Sequence, residues 1–118
     1  MQFRIKRIKL VRELRAVQIM GNLNFQCFNL KELRNSNFKC SEIKIIDLRH
    51  PEETAISQLK ITEFEVINIP YFALRKNLNI LDRNVHYALY CKDGIMSKLQ
   101  SAILNESGFQ NISILDLE

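Results

Sequence analysis

The sequence is poor in residues that build covalent or metal cross-links. Its 118 residues include three cysteines and two histidines. An odd number of cysteines at irregular spacing (Cys27, Cys40 and Cys91) does not describe a disulfide framework. There is no CxxC pair and the two histidines are far apart, so neither a metal site nor another cofactor is predicted. Such cysteine usage is typical of a reducing compartment, and a cytoplasmic location is expected.

Long apolar runs are also missing. No stretch approaches the roughly 20 apolar residues that a membrane-spanning helix needs. The basic N-terminus lacks the uninterrupted apolar segment of a signal peptide, and no contact with a membrane is expected. The chain is 47% hydrophobic and 25% charged, without repeats or low-complexity segments. This balance indicates one ordinary globular domain.

Positive charge is concentrated at one end of the chain. The formal net charge is +4, of which residues 1–15 contribute +5 and the remainder −1. A basic arm of this kind can contact the phosphates of a nucleic acid, so weak RNA binding through residues 1–15 is one interpretation. A solvated helix face, or the tail of a longer chain, is the alternative. No aromatic residues alternate with these charges in the way that would establish nucleic-acid binding.

The hydrophobic pattern predicts alternating strands and helices. Strands are predicted over residues 43–48, 63–69, 85–90 and 111–115, and helices over about 10–17, 29–37, 51–59, 71–78 and 97–108. The near-continuous apolar run "IKIIDL" is typical of a strand buried on both faces of a parallel sheet. The predicted fold is therefore α/β, a mostly parallel sheet flanked by helices, preceded by a basic arm and a short helical lead-in over residues 1–40.

Cys91 ends the strand "VHYALY" and precedes the predicted helix that starts at about Ser97. In open parallel sheets, ligands bind beyond the carboxyl ends of strands. The intervening loop is long enough to turn several backbone N–H groups towards one anion, helped by its glycine. It consists of Lys92, Asp93, Gly94, Ile95 and Met96.

Two interpretations of Cys91 stay open at this point. Loop amides and a helix N-terminus would stabilise a reactive thiolate, and Ser97 would either cap the helix or donate its hydroxyl to the sulfur. The alternative is a lone cysteine that acts as a small buried hydrophobe.

Three sequence blocks resemble rhodanese-type sulfurtransferase domains. They are "IIDLRHPEE", "VINIP" and "YCKDGIMSKLQSAILNESGFQNI", which occur in the family's order and spacing over about residues 41–118. The run C-x-x-G-x-M-S-x-L-Q, with "INIPYFAL" before it, is similar to the C-terminal rhodanese domains of bacterial tRNA 4-thiouridine synthases. Here the motif that generic rhodaneses carry before the third strand is reduced to Asn68-Ile69-Pro70.

The resemblance implies persulfide chemistry. Cys91 would accept sulfane sulfur from a cysteine desulfurase, and residues 92–97 would cradle the persulfide. The acceptor would be a tRNA-modifying or thiamine-pathway protein, which makes 4-thiouridine or the thiamine thiazole. Met96 is by default a packing residue, and the alternative is that it shields the persulfide from water at the rim of the loop. The chain has no adenylating or tRNA-binding domain, so it is expected to be either a separate sulfur carrier or the end of a longer protein.

The resemblance also assigns supporting residues. Asp47 and Arg49 match the family's Asp-x-Arg and are expected to form a structural ion pair or loop anchor, with a substrate contact as the alternative. Independently of the resemblance, His50 is expected at the surface or as a helix cap, and His86 as a hydrogen-bonded strand residue rather than a ligand or a base.

Other functions remain as alternatives. A general thiosulfate sulfurtransferase would favour a more basic loop than Lys92 and Asp93 provide. A cysteine phosphatase would need an arginine at the end of the loop, and none lies between residues 84 and 118. A catalytically silent interaction module would leave Cys91 incidental. Cys27 or Cys40 could resolve a Cys91 persulfide only if the fold brought it close.

Overall fold

The computed structural model describes residues 25–38 and 42–117 of the chain. In chain order its elements are β1 (Cys27–Phe28), α1 (Leu30–Arg34), β2 (Ile43–Asp47), α2 (Pro51–Ile56), β3 (Glu65–Asn68), two 3₁₀ segments (Tyr71–Ala73 and Arg75–Ile80), β4 (His86–Tyr90), α3 (Ile95–Glu106) and β5 (Ile112–Leu115). None of the helices within these residues is long and apolar enough to cross a membrane.

The described strands form one parallel sheet in the order β1-β5-β4-β2-β3. All carboxyl ends therefore lie along one edge, and the helical connections cross from strand to strand on the faces of the sheet. The predicted α/β fold, a parallel sheet flanked by helices, is confirmed. Ile45 and Ile46 of β2 point to opposite faces, and both are fully buried, as the apolar run predicts.

Two hydrophobic clusters cover the two faces of the sheet. On one face Leu89 of β4 packs with Leu104 of α3 and with the 3₁₀ region. On the other face Ile45 and Ala88 pack with Leu33 of α1. Alternation along β4 separates the clusters, because successive side chains of a strand point to opposite faces.

His86 is a buried strand residue, as predicted. Its Nε2 lies 2.8 Å from Ser113 Oγ on β5, and Phe38 stacks on its ring with the centroids 3.6 Å apart. Burial lowers the pKa of His86 from 6.5 to about 4, so the ring is neutral at pH 7.

Several predicted helices differ from the structure. The helix predicted over residues 51–59 ends at Ile56, because Ser57 leaves the helical backbone at φ −140° and ψ 85°. The helix predicted over residues 71–78 is instead the pair of 3₁₀ segments, with non-helical backbone at Asn77. The predicted short helix after Asn29 is present, and Asn29 and Glu32 form a capping box.

The sequence did not predict β1, because two residues are too few for an alternating pattern. This strand pairs with β5, and α1 contributes the fully buried Leu33 to the core. Both elements precede residue 41, where the sequence places the start of the domain, and that boundary stays a prediction. The helix predicted over residues 10–17, the basic arm and Cys40 lie outside the described residues.

Candidate active site

Cys91 is the first residue after β4, at the carboxyl edge of the sheet. Its side chain lies on the same face as Leu89 and joins the hydrophobic cluster there. Only 8% of the residue is exposed. The sulfur is therefore held against the core while the chain turns above it towards α3.

Two backbone amides of the following loop point at the sulfur. Gly94 N lies 3.1 Å and Ser97 N 3.3 Å from Cys91 Sγ. Gly94 is the N-cap of α3 and has φ +80°, a left-handed conformation that an L-residue adopts only with strain. The loop thus places the sulfur at the positive end of a twelve-residue helix.

The structure corrects two expectations about Ser97. α3 begins at Ile95, so Ser97 lies inside its first turn and does not cap it. The Ser97 hydroxyl is buried without a hydrogen-bond partner, and the contact with Cys91 is made by its backbone amide instead. Gly94 allows the earlier start, since its carbonyl accepts from Lys98 N at 3.2 Å.

A carboxylate also contacts the sulfur, which the sequence did not predict. The thiol of Cys91 donates to Asp93 Oδ1 over 3.5 Å, and the same oxygen accepts from Ile95 N at 3.1 Å. An Asp two residues before a helical amide commonly forms such a turn. This tendency of Asp is the sequence feature from which the position of the Asp93 carboxylate could have been predicted.

A cavity of about 580 Å³ opens beside the sulfur. Its lining includes Cys27, Cys91, Asp93, Lys92 and Lys98. Among the described residues, no group of three His, Cys, Asp or Glu side chains is arranged to hold a metal ion.

A model of the rhodanese-like domain family matches residues 29–117. The chain belongs to the rhodanese-like domain family. The expected resemblance is confirmed, and the match includes α1 as well as the predicted domain.

Curated relatives of this rhodanese-like chain are named tRNA sulfurtransferase. The protein from Haemophilus influenzae (strain PittEE) is 43% identical over 70 residues, which are 59% of this chain and 14% of that protein. The protein from Shewanella halifaxensis is 46% identical over 70 residues, again 59% and 14% of the two chains. The chain therefore matches only about a seventh of the length of these relatives.

Solved structures share the fold. A rhodanese-like domain protein from Staphylococcus aureus is 26% identical with a TM-score of 0.58, over 80% of this chain and 85% of that chain. A NAD-dependent persulfide reductase from A. fulgidus is 27% identical with a TM-score of 0.57, over 90% of this chain and 16% of that one.

Asp47 and Arg49 of the rhodanese-like domain form an ion pair at the end of β2. Arg49 Nη2 donates to Asp47 Oδ2 at 2.8 Å and to Ser57 O at 2.8 Å. The Asp47 side chain is fully buried. The guanidinium also lies 5.5 Å from the ring centroid of Tyr90, the residue before Cys91. The pair thus connects the β2–α2 loop to the strand that carries the cysteine.

The remaining loop residues differ in burial. Lys92 and Ile95 are exposed, and Met96 is half-buried against the cluster beneath Cys91. Met96 Sδ accepts from Gln100 Nε2 at 3.7 Å.

His50 caps α2, as predicted, because its Nδ1 accepts from Glu52 N at 3.1 Å.

Cys27 reaches the cavity but not the sulfur of Cys91. In the register of the sheet, Cys27 of β1 is paired with Ile114 of β5. Ile114 is paired in turn with Leu89 of β4. Two strand spacings separate the Cα atoms of Cys27 and Leu89 by about 9–10 Å, and Cys91 lies two residues further along. A disulfide needs Cα atoms within about 7 Å, so Cys27 could not resolve a Cys91 persulfide without backbone movement.

Proposed function

We propose that this chain is a sulfurtransferase that carries sulfane sulfur as a persulfide on Cys91. The observation that supports this best is the pair of amides, Gly94 N and Ser97 N, directed at Cys91 Sγ beside an open cavity. Backbone donors fixed before the reaction stabilise negative charge without reorganisation, as in an oxyanion hole. Here they would stabilise the thiolate and the persulfide anion.

The loading step is a sulfur exchange. The Cys91 thiolate attacks the outer sulfur of a donor persulfide, R–S–SH. A new bond forms between Cys91 Sγ and that sulfur while the donor's S–S bond breaks. The donor thiolate leaves with the electron pair, and the proton stays with the transferred sulfur or passes to water. No external oxidant is needed, because the sulfane sulfur is already at the required oxidation level.

We propose a cysteine desulfurase as the donor and tRNA thiolation as one destination. The names of the curated relatives support a tRNA-modifying role. Synthesis of the thiamine thiazole is the other proposed destination. This chain corresponds to only 14% of those relatives, so adenylation of the uridine is assigned to a separate protein or domain.

Retained radiolabel tests the proposal. A cysteine desulfurase and [³⁵S]cysteine should load about one dithiothreitol-labile ³⁵S atom per chain of the wild type and of Cys27→Ser. Cys91→Ser should retain none and keep the wild-type unfolding midpoint within a few degrees. Equal labelling of Cys91→Ser and the wild type would refute the role of Cys91.

A further inference from the structure

Asp93 brings a negative charge directly to the sulfur, in a cavity whose lining also includes the positive charges of Lys92 and Lys98. Its Oδ1 accepts the thiol hydrogen of Cys91 over 3.5 Å and the Ile95 amide at 3.1 Å. The carboxylate therefore accepts from one of the two backbone amides that lie in sequence between Gly94 and Ser97. Within residues 25–38 and 42–117, no lysine or arginine lies within ion-pairing distance of Asp93.

The position of this charge affects sulfur donors unequally. Thiosulfate is a small dianion, and its sulfane sulfur must meet Cys91 Sγ while its sulfonate stays next to the loop. Like charges this close to each other at a protein surface repel strongly enough to slow an approach roughly tenfold, and thiosulfate brings two negative charges. A persulfide on a protein carries at most one charge, and contacts elsewhere on its surface can offset the repulsion.

We propose that Asp93 determines donor specificity, by excluding small dianionic donors and favouring persulfides presented by a protein. This inference rests on the proposed persulfide function. With thiosulfate, the Cys91 thiolate would attack the sulfane sulfur, the S–S bond of thiosulfate would break, and sulfite would leave with the electron pair. Asp93 destabilises this approach because its carboxylate contacts the attacking sulfur.

The Asp93→Asn variant tests the negative charge of the side chain separately from the conformation of the loop. The asparagine oxygen can still accept from Ile95 N, so the turn is kept while the negative charge is lost. Glu52→Gln is the matched control, because it removes one exposed carboxylate from α2 and changes the net charge equally. Asp93→Ala removes both the charge and the turn.

The test compares donors and alkylating agents of different charge on the full chain. Iodoacetamide is neutral and reports how much thiolate is present, whereas thiosulfate and iodoacetate also report repulsion. Each rate is divided by the rate at which iodoacetamide alkylates the same variant. In Asp93→Asn this ratio should rise about tenfold or more for loading by thiosulfate and several-fold for alkylation by iodoacetate. Loading by the desulfurase persulfide should change less than threefold, and Glu52→Gln should change every ratio less than twofold.

An unchanged thiosulfate-to-iodoacetamide ratio in Asp93→Asn would overturn the specificity role. If the desulfurase still loaded the wild type in that case, the proposed persulfide function would stand without the specificity role of Asp93. Failure of every variant to accept sulfur from any donor would instead refute the proposed function. An effect seen in Asp93→Ala but not in Asp93→Asn would assign Asp93 a purely conformational role.

Discussion

Gly94 gives the Cys91 loop its shape. A Cβ added there would meet no atom within 4 Å, so a substitution costs only the strain of φ +80°. An L-residue in the left-handed region costs about 1–2 kcal/mol. Gly94→Ala should therefore reorient the amide that faces the sulfur and lower the rate of persulfide loading about tenfold or more.

Gly108 offers the matched control for that prediction. It has φ +97° after the end of α3, far from Cys91, and an added Cβ would lie 3.5 Å from Arg83 Nε. Gly108→Ala should lower the free energy of unfolding by a similar amount and leave loading unchanged. Equal loading by the two variants, measured by mass spectrometry, would contradict the cradle role of Gly94.

Residue roles were predictable where one local rule decides them. Asn29 and His50 cap helices because their side chains reach an amide two or three residues ahead. Ser97 was misjudged, because the left-handed Gly94 lets α3 start two residues early. The folding of the Asp93 carboxylate onto the sulfur depends on the three-dimensional path of the loop, which periodicity does not describe.

The connection between β2 and α2 is fixed by the ion pair at its start. Arg49→Ala would leave the fully buried carboxylate of Asp47 without its guanidinium partner. Removing one member of a buried pair commonly costs about 3–5 kcal/mol. We expect a loss of about 3 kcal/mol in the free energy of unfolding, measured by urea denaturation.

Arg75→Ala is the control, since Arg75 is exposed on a 3₁₀ segment. It should change the free energy of unfolding by less than about 0.5 kcal/mol. If Arg49→Ala were no more destabilising than Arg75→Ala, the anchoring role would be wrong.

The contact between β4 and β5 should make stability depend on pH. The pKa of His86 is about 4 in the folded protein, below its ordinary value of 6.5, because burial disfavours the charged ring. Between these values the unfolded chain binds the proton more tightly, so stability is lost as pH falls from about 6.5 to 4. A pKa difference of this size corresponds to a loss of about 3 kcal/mol in the free energy of unfolding.

His86→Gln removes this titration. The difference in the free energy of unfolding between pH 7.5 and 4.5 should therefore be smaller in the variant than in the wild type. Identical pH dependence in both proteins would show that His86 does not contribute.

Strands and the long helix were predictable as elements, whereas their short connections were not. The apolar runs of β2 and β4 and the helical pattern before Gly108 are long enough for periodicity to identify. The 3₁₀ pair, the early end of α2 and the two-residue β1 follow from tertiary contacts, such as the bond from Arg49 to Ser57 O and the pairing of β1 with β5.

At the scale of the whole molecule, the basic arm and the sulfur site are expected to act independently. Deleting residues 1–15 changes the net charge from +4 to −1. Any nonspecific RNA binding by the chain should be weak, should fall steeply with salt, and should disappear with the arm. Persulfide loading should survive the deletion. Filter binding across a salt series checks this, and tight, salt-resistant binding of tRNA would contradict it.

Peptide-resolved mass spectrometry after incubation with a cysteine desulfurase and cysteine tests the central claim most directly. The account predicts one added sulfur atom, about 32 Da by the mass of sulfur, on the peptide that contains Cys91, and its removal by cyanide as thiocyanate. The peptide that contains Cys27 should stay unmodified. Added sulfur on Cys27 with none on Cys91, or no added sulfur at all, would contradict the account.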